Sequence, residues 1–165
     1  MSEYYFRLAL KSDIAFIMSE VITGASKKVF TSSLCSPTEA KQFEKNLIKI
    51  VELASAGRSM ADYLYICAAD SDDAPVGFML ITGVNGAGGK ANHLELRMIG
   101  VKNNLRRKGI ASLMVTEMLS GNPAQPFVAH CLPAASSMAS LLSKYGFYDI
   151  DITKGGKRTL QKLPS

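Results

Sequence analysis

The stretch that decides the fold runs His93-Leu94-Glu95-Leu96-Arg97-Met98-Ile99-Gly100-Val101, crosses Lys102 to Leu105, and continues Arg106-Arg107-Lys108-Gly109-Ile110-Ala111. In its first part Leu94, Leu96 and Met98 alternate with His93, Glu95 and Arg97, the period of two that predicts a strand over 93–101. From Gly109 to Leu119 the apolar residues Ile110, Leu113, Met114 and Met118 recur at helical spacing. Between strand and helix lie Lys102, Arg106, Arg107 and Lys108 with no acid among them. A helix start offers unpaired backbone N–H groups and the positive end of the helix dipole. Gly109 lets the backbone approach a ligand closely, and the small Ala111 keeps the way clear. Strand, basic turn and helix together predict a cradle for a pyrophosphate. The GxxxxGKS/T spacing of a Walker loop and the GxGxxG of a Rossmann turn are both absent.

Outward from this unit the chain alternates strand and helix patterns. Upstream, residues 4–10 read as a strand with Phe6, Leu8 and Leu10 on one side. A helix capped by Ser12 or Asp13 then carries Ile14, Ile17, Met18 and Val21 on one face. Residues 22–35 fit no element. Ser36-Pro37-Thr38-Glu39 is a helix start, with Ser36 as cap, Pro37 at the first helical position and Glu39 placed to close a capping box. Phe43, Leu47, Ile50, Val51 and Ala54 follow at helical spacing until Gly57. Residues 63–69 and 76–82 are strand formers around a turn-rich 70–75, an antiparallel hairpin. The Gly-rich stretch 83–89 reads as a mobile loop. Downstream, 127–132 is a strand, 136–144 a helix with Met138, Leu141 and Leu142 inward, and 147–152 with 158–163 a last hairpin. The order β-α-α-β-β-β-α-β-α-β-β is that of a mixed α/β domain spanning residues 1–165.

Composition narrows the function classes. Of the 165 residues, 47% are hydrophobic and 20% charged, close to globular averages, which excludes disordered, collagen-like and coiled-coil readings. No apolar run reaches the length of a membrane helix, and the first ten residues show no secretory signal. Cys35, Cys67 and Cys131 are an odd, widely spaced set, which argues for a reducing compartment and places the chain in the cytoplasm. Two histidines, His93 and His130, cannot build a multi-histidine metal site, and no metal is expected. His130 and Cys131 are neighbours on a strand and so point to opposite faces, which rules them out as a nucleophile–base pair.

The formal charge is +5, and it is concentrated. Residues 102–108 carry +4, residues 151–165 carry +3 from Lys154, Lys157, Arg158 and Lys162 against Asp151, and the rest of the chain is left at −2. A basic balance points to an anionic partner. The first spot has no interleaved aromatic residue, so nucleic acid is not an expected partner, and taken without its context the spot reads as a solvated charge run.

The R/Q-x-x-G-x-G/A pattern at Arg106-Arg107-Lys108-Gly109-Ile110-Ala111, after a strand and before an amphipathic helix, resembles the acetyl-CoA loop of the GNAT superfamily of N-acetyltransferases. The segment Leu141-Leu142-Ser143-Lys144-Tyr145-Gly146-Phe147 is similar to that family's LYxKxGF segment, and the element order agrees along nearly the whole chain. The resemblance implies a mixed, mostly antiparallel sheet, flanked by helices, with two central parallel strands, 93–101 and 127–132, splayed apart. It implies acetyl-CoA as cosubstrate, with Met98, Ile99, Gly100 and Val101 along the pantetheine arm. Arg106, Arg107, Lys108, Gly109, Ile110, Ala111 and Ser112 would lie around the pyrophosphate, with Met138 beside the cofactor. An amine acceptor is expected between residues 22–35 and 151–157, and a homodimer is left open.

Acetyl transfer needs a neutral amine. Deprotonating a lysine-like amine, with a pKa of about 10.4, costs about 4.6 kcal/mol at pH 7, so a positioned base helps. Glu95, eleven positions ahead of Arg106, resembles in its spacing the base of the histone-acetylating branch. The other reading is an outward glutamate paired with Arg97 or Lys102. His93, on the same strand face, is a second candidate. A thiol pKa near 8.5 puts the departing CoA thiolate only about 2 kcal/mol uphill at pH 7, so an acid is helpful but dispensable. The tyrosine many family members carry four positions before the Gly-Phe glycine is Leu142 here, and a frequent asparagine seven positions earlier is Ala135. Tyr145 is expected to pack rather than to replace that acid. Two readings follow: a Glu95-assisted N-acetyltransferase acting on a primary amine of a metabolite or a protein, or a catalytically weak CoA-binding sensor. The basic residues around the expected acceptor site, Lys27 and Lys28 included, favour an amine on a neutral or acidic carrier over a polyamine.

Overall fold

The strand His93–Val101, β4, lies at the centre of a seven-stranded sheet in which the strands, counted along the chain, stand in the order first, second, third, fourth, fifth, seventh, sixth. The computed structural model describes residues 3–58, 61–86 and 92–165. Residues 87–89 of the Gly-rich stretch and residues 1–2 of the first segment therefore lie outside the described residues. The strands are β1 Tyr4–Leu8, β2 Asp62–Ala69, β3 Pro75–Val84, β5 Phe127–Cys131, β6 Tyr148–Ile152 and β7 Arg158–Lys162. Neighbours pair antiparallel except β4 and β5, which run parallel. The helices are α1 Ile14–Ser26, α2 Pro37–Ser55, α3 Ile110–Gly121 and α4 Ser136–Lys144.

Two apolar clusters divide the interior by sheet face. Ile17, Val21, Leu47 and Val51 of α1 and α2 pack on Leu64, Ile66, Phe78, Leu80 and Met98. Met114 and Val115 of α3 and Ala139 and Leu142 of α4 pack on Met79, Ile81, Leu96, Ile99, Phe127 and Leu160. Gly100 exists for the first cluster, because a Cβ there would lie 2.4 Å from the Phe78 ring.

The alternation expected along β4 changes phase inside the strand. Leu80 of β3 faces Met98 while the next residue, Ile81, faces Leu96, so Arg97 is an extra, bulged residue. Leu94 and Leu96 thus share a face with Ile99 and Val101, towards α3 and α4, and Met98 lies on the other face. His93 and Glu95, which precede the bulge, are on Met98's face.

The parallel pairing is short. It joins Leu94 to Phe127, Glu95 to Val128 and Leu96 to Ala129. Beyond Leu96 the strands part. β4 stays bound to β3, and His130 and Cys131 stay bound to β7. The splay expected between the two parallel strands is present, and its vertex is at Leu96 and Ala129.

Other expectations shift for local reasons. β1 ends at Leu8, and Leu8 and Leu10 are exposed (45% and 49%), because after Leu8 the chain turns into a 3₁₀ segment over Lys11–Asp13. Asp13 does not cap α1 with its side chain. Its buried carboxylate accepts from the Leu10 N–H (2.7 Å) and from both terminal nitrogens of Arg7 (2.7 and 3.1 Å). Ser36 is the residue before α2, but neither half of the capping box forms. A second 3₁₀ turn, Ser32–Cys35, leads the Ser36 N–H to the Ser33 carbonyl (3.0 Å), so Glu39 has no free donor to meet. Gly57 ends α2 as expected, with φ +67, the Gly57 N–H on the Ala54 carbonyl and the Arg58 N–H on the Leu53 carbonyl. Within α3 it is Val115 rather than Leu113 that is fully buried, and within α4 it is Ala139 rather than Leu141. β3 runs on to Val84, so the Gly-rich stretch begins as strand.

Candidate active site

Three parts meet where β4 and β5 separate: a free strand edge, a basic turn and an acid–base pair. The edge is the β5-facing backbone of β4 past Leu96. Ile99 and Val101 send their side chains into the α3 and α4 core, Met98 sends its own into the α1 and α2 core, and Gly100 has none. Only backbone groups of residues 98–101 are left to face the gap.

The turn is shaped by backbone more than by side chains. A short 3₁₀ segment, Asn103–Leu105, leads from β4 into extended Arg106. Arg107 then adopts φ +63 and Gly109 φ +83. A left-handed conformation at a non-glycine residue costs roughly 1–2 kcal/mol and tends to mark functional turns. These two residues turn the chain into the start of α3, where unpaired N–H groups suit an anion. No side chain caps α3, and the first helical bond drawn from it runs from the Leu113 N–H to the Gly109 carbonyl (3.0 Å). The N–H groups of Ile110, Ala111 and Ser112 precede that bond. A Cβ at Gly109 would meet nothing within 4 Å, so the space over the turn is open.

The side chains divide their tasks. Arg107 and Lys108 are exposed. Arg106 is exposed as well but tethered: its Nε donates to the Val101 carbonyl (3.1 Å), and its guanidinium lies 3.6 Å from the Glu20 carboxylate of α1. Ile110 is buried, which leaves only its N–H for a ligand. Ser112 shares a hydrogen bond with the Tyr145 hydroxyl, which also meets Thr116, and these bonds hold the Tyr145 phenol below its usual pKa. Tyr145 packs against the α3 and α4 core, as does Met138. Leu142, in place of the tyrosine, is fully buried (0% exposed).

Glu95 sits one residue before the vertex, with Thr82 of β3 across from it on one side and Val128 of β5 on the other. It pairs with neither Arg97 nor Lys102. Its Oε1 lies 3.8 Å from Nε2 of His130, which stands two residues past Val128 on the same face. The other ring nitrogen of His130, Nδ1, is 3.0 Å from the Thr159 hydroxyl of β7. Both side chains remain open to solvent, Glu95 at 27% and His130 at 41% exposure. His93, opposite Val84 at the start of β4, is not the imidazole that reaches Glu95. His130 carries no local motif. The signal that could have placed it was its position next to Cys131: if Cys131 faces the core, His130 faces the side that holds Glu95.

Cys131 is indeed buried, and burial raises its thiol pKa; burial pushes Cys67 up to about 11. Neither is a nucleophile at neutral pH. Among the described residues no three His, Cys, Asp or Glu side chains are grouped to hold a metal ion, and no helix is long and apolar enough to cross a membrane. The C-terminal basic spot is weaker than its sequence charge, because both guanidinium contacts of Arg158 to Asp149 are 2.7 Å.

A family model described as acetyltransferase (GNAT) family matches residues 30–120, more than half of the chain. The fold is similar to that of a GNAT-family acetyltransferase from Streptococcus agalactiae, with a TM-score of 0.73, 15% identity, and 98% of this chain and 96% of that one covered. It is also similar to PaiA N-acetyltransferase from Thermoplasma acidophilum in complex with coenzyme A, with a TM-score of 0.68, 17% identity and 99% of each chain covered. An acetyltransferase from Thermus thermophilus aligns with a TM-score of 0.65 at 9% identity, over 98% of this chain and 97% of that one. No curated protein sequence matches the chain.

Proposed function

The chain belongs to the GNAT acetyltransferase family, and from that premise we propose that it transfers the acetyl group of acetyl-CoA directly to a primary amine, with Glu95 as the base. The observation that carries this reading is the position of Glu95 at the vertex of the parted strands, partly exposed and next to the free edge of β4. The residues present fit the cosubstrate. The backbone edge of residues 98–101 suits a thin polar arm, and the N–H groups at Arg107 to Ser112, with Arg107 and Lys108 exposed beside them, suit its phosphates. The PaiA relative was solved with coenzyme A, which supports the same assignment. Arg106 braces the turn through its bond to the Val101 carbonyl, and its exposed guanidinium adds to the positive charge beside those N–H groups.

Acetyl-CoA supplies an acyl carbon activated by a thiol leaving group. Glu95 takes a proton from the incoming ammonium and leaves the nitrogen lone pair free to attack. Loss of that help restores part of the roughly 4.6 kcal/mol deprotonation cost. Exposed Lys27 and Lys28 after α1, and exposed Lys154 and Lys157 in the last hairpin turn, favour an acceptor whose carrier is neutral or acidic, such as an amino-acid-like metabolite or a protein amine. One observation favours a second reading, a CoA-binding sensor: buried Leu142 where an acid would stand.

A panel of amines and peptides, with CoA thiol release as readout, separates the two. Turnover with one acceptor class supports the enzyme, and tight CoA binding without turnover over the panel supports the sensor. Glu95→Gln is expected to lower kcat by about 100-fold or more with acetyl-CoA affinity retained. Full activity of that variant across roughly pH 6 to 9 would remove Glu95 as the base.

A further inference from the structure

A base that accepts a proton in every turnover must also lose it, and the surroundings of Glu95 contain a group placed to take it. The His130 ring addresses two different partners with its two nitrogens, Thr159 Oγ1 at 3.0 Å from Nδ1 and Glu95 Oε1 at 3.8 Å from Nε2. A neutral imidazole has one N–H and one lone pair. When Nδ1–H donates to the Thr159 hydroxyl, the lone pair on Nε2 points to the carboxyl of Glu95. The partners come from three strands, β4, β5 and β7, so the sheet itself sets the alignment. We propose that His130 is a positioning and proton-relay residue that returns Glu95 to its ionised form after each acetyl transfer, with Thr159 fixing the ring. This rests on Glu95 being the base.

The proton balance closes. The ammonium N–H bond breaks and its proton binds a Glu95 carboxylate oxygen. The neutral carboxyl then donates to Nε2 of His130, giving carboxylate and imidazolium. The imidazolium releases one proton to bulk water, to which its 41% exposure gives access, and returns to the neutral ring. The 3.8 Å separation is longer than a hydrogen bond and must shorten by about 1 Å for the transfer. The partly exposed Glu95 side chain would have to rotate to close that gap. Imidazole suits the step because it can accept a proton on one ring nitrogen and release one from either.

The test uses the full chain and the most active acceptor of the amine panel. His130→Ala is expected to lose about 10-fold or more in kcat, with the KM for acetyl-CoA and the melting temperature unchanged, and to regain rate when imidazole is added. His130→Gln can still hydrogen-bond Thr159 but cannot pass a proton on, so it is expected to fall as far as the alanine variant. Wild-type kcat in His130→Gln, or a loss in His130→Ala that imidazole leaves unrestored, overturns the relay. Glu95→Gln run in parallel separates the two ideas. Loss of activity in Glu95→Gln with full activity in both His130 variants overturns the relay alone, whereas full activity in Glu95→Gln overturns the base and the relay together.

Discussion

Asp13 and Glu95 are both carboxylates with a basic partner, and the fold treats them in opposite ways. The Asp13 side chain is 3% exposed and locked by two bonds from Arg7 and one from the Leu10 N–H. The Arg7 guanidinium, beside Asp13 and then Asp73, is held firmly protonated. Glu95 faces His130 across 3.8 Å with both groups wet. Breaking a buried pair of the first kind costs about 3–5 kcal/mol, while exposed pairs contribute about 0–1 kcal/mol. The bonds that make an acid useful to the fold occupy its lone pairs and remove it from proton exchange. The acid proposed as the base is the one the fold leaves underbonded.

Three further substitutions, away from Glu95 and His130, would break or sharpen that contrast. The largest effect is expected from Asp13→Ala, about 3 kcal/mol of lost stability. For a chain of this size that lowers the melting temperature by about 6–12 °C, while kcat per folded molecule stays at the wild-type value. A variant that melts with the wild type would erase the distinction. Next comes Gly109→Ala, which keeps both acid–base pairs and strains only the turn. A Cβ at φ +83 costs about 1 kcal/mol and projects into the open space over the turn. The KM for acetyl-CoA is expected to rise about 5-fold or more with a smaller change in kcat; an unchanged KM would place the phosphates elsewhere. The smallest effect belongs to an exposed pair that is well bonded, Asp149 with Arg158. The hydrogen bonds from Arg158 hold the Asp149 carboxyl below its ordinary pKa. Because the folded-state pKa is the lower one, the stabilisation is present above the ordinary carboxylate value of about 3.9 and is lost as pH falls through the folded value. Asp149→Asn should therefore melt slightly below wild type at pH 7, by less than Asp13→Ala, and the gap should close toward about pH 2. A gap that persists in acid would mean that packing, not charge, sets it.

How much of this was legible in the sequence depended on how local the cause was. β4 could be bounded to the residue, and the turn at Arg106 to Ala111 stood out because charge, glycine and helix start fall within six positions. Gly57 ended α2 for reasons confined to four residues. The capping box at Ser36 failed because the preceding 3₁₀ turn had already used the Ser36 N–H, a competition between two local patterns. The bulge at Arg97 was invisible, since it exists only in the pairing of β4 with β3, yet it decides which face Met98 occupies. His130 was missed for a similar reason. Its partners lie 35 and 29 positions away, and only the short parallel pairing of β4 with β5 brings Glu95 beside it. The link of Arg106 to Glu20 of α1 was equally hidden, and it ties the basic turn to a helix more than eighty positions away in the chain.

The parting of β4 and β5 also bears on how the protein avoids its own kind. A strand with unpaired N–H and C=O groups normally invites a strand from another molecule, and sheets defend such edges with charge, bulges or cover. Here the unpaired run is interior, about five residues long, and begins at a bulge that carries the exposed Arg97. A foreign strand would have to enter between two strands already committed to β3 and β7. By that logic the gap is a poor template for an added β-strand, so backbone hydrogen bonds can stay unpaired in the middle of the sheet without offering an aggregation edge.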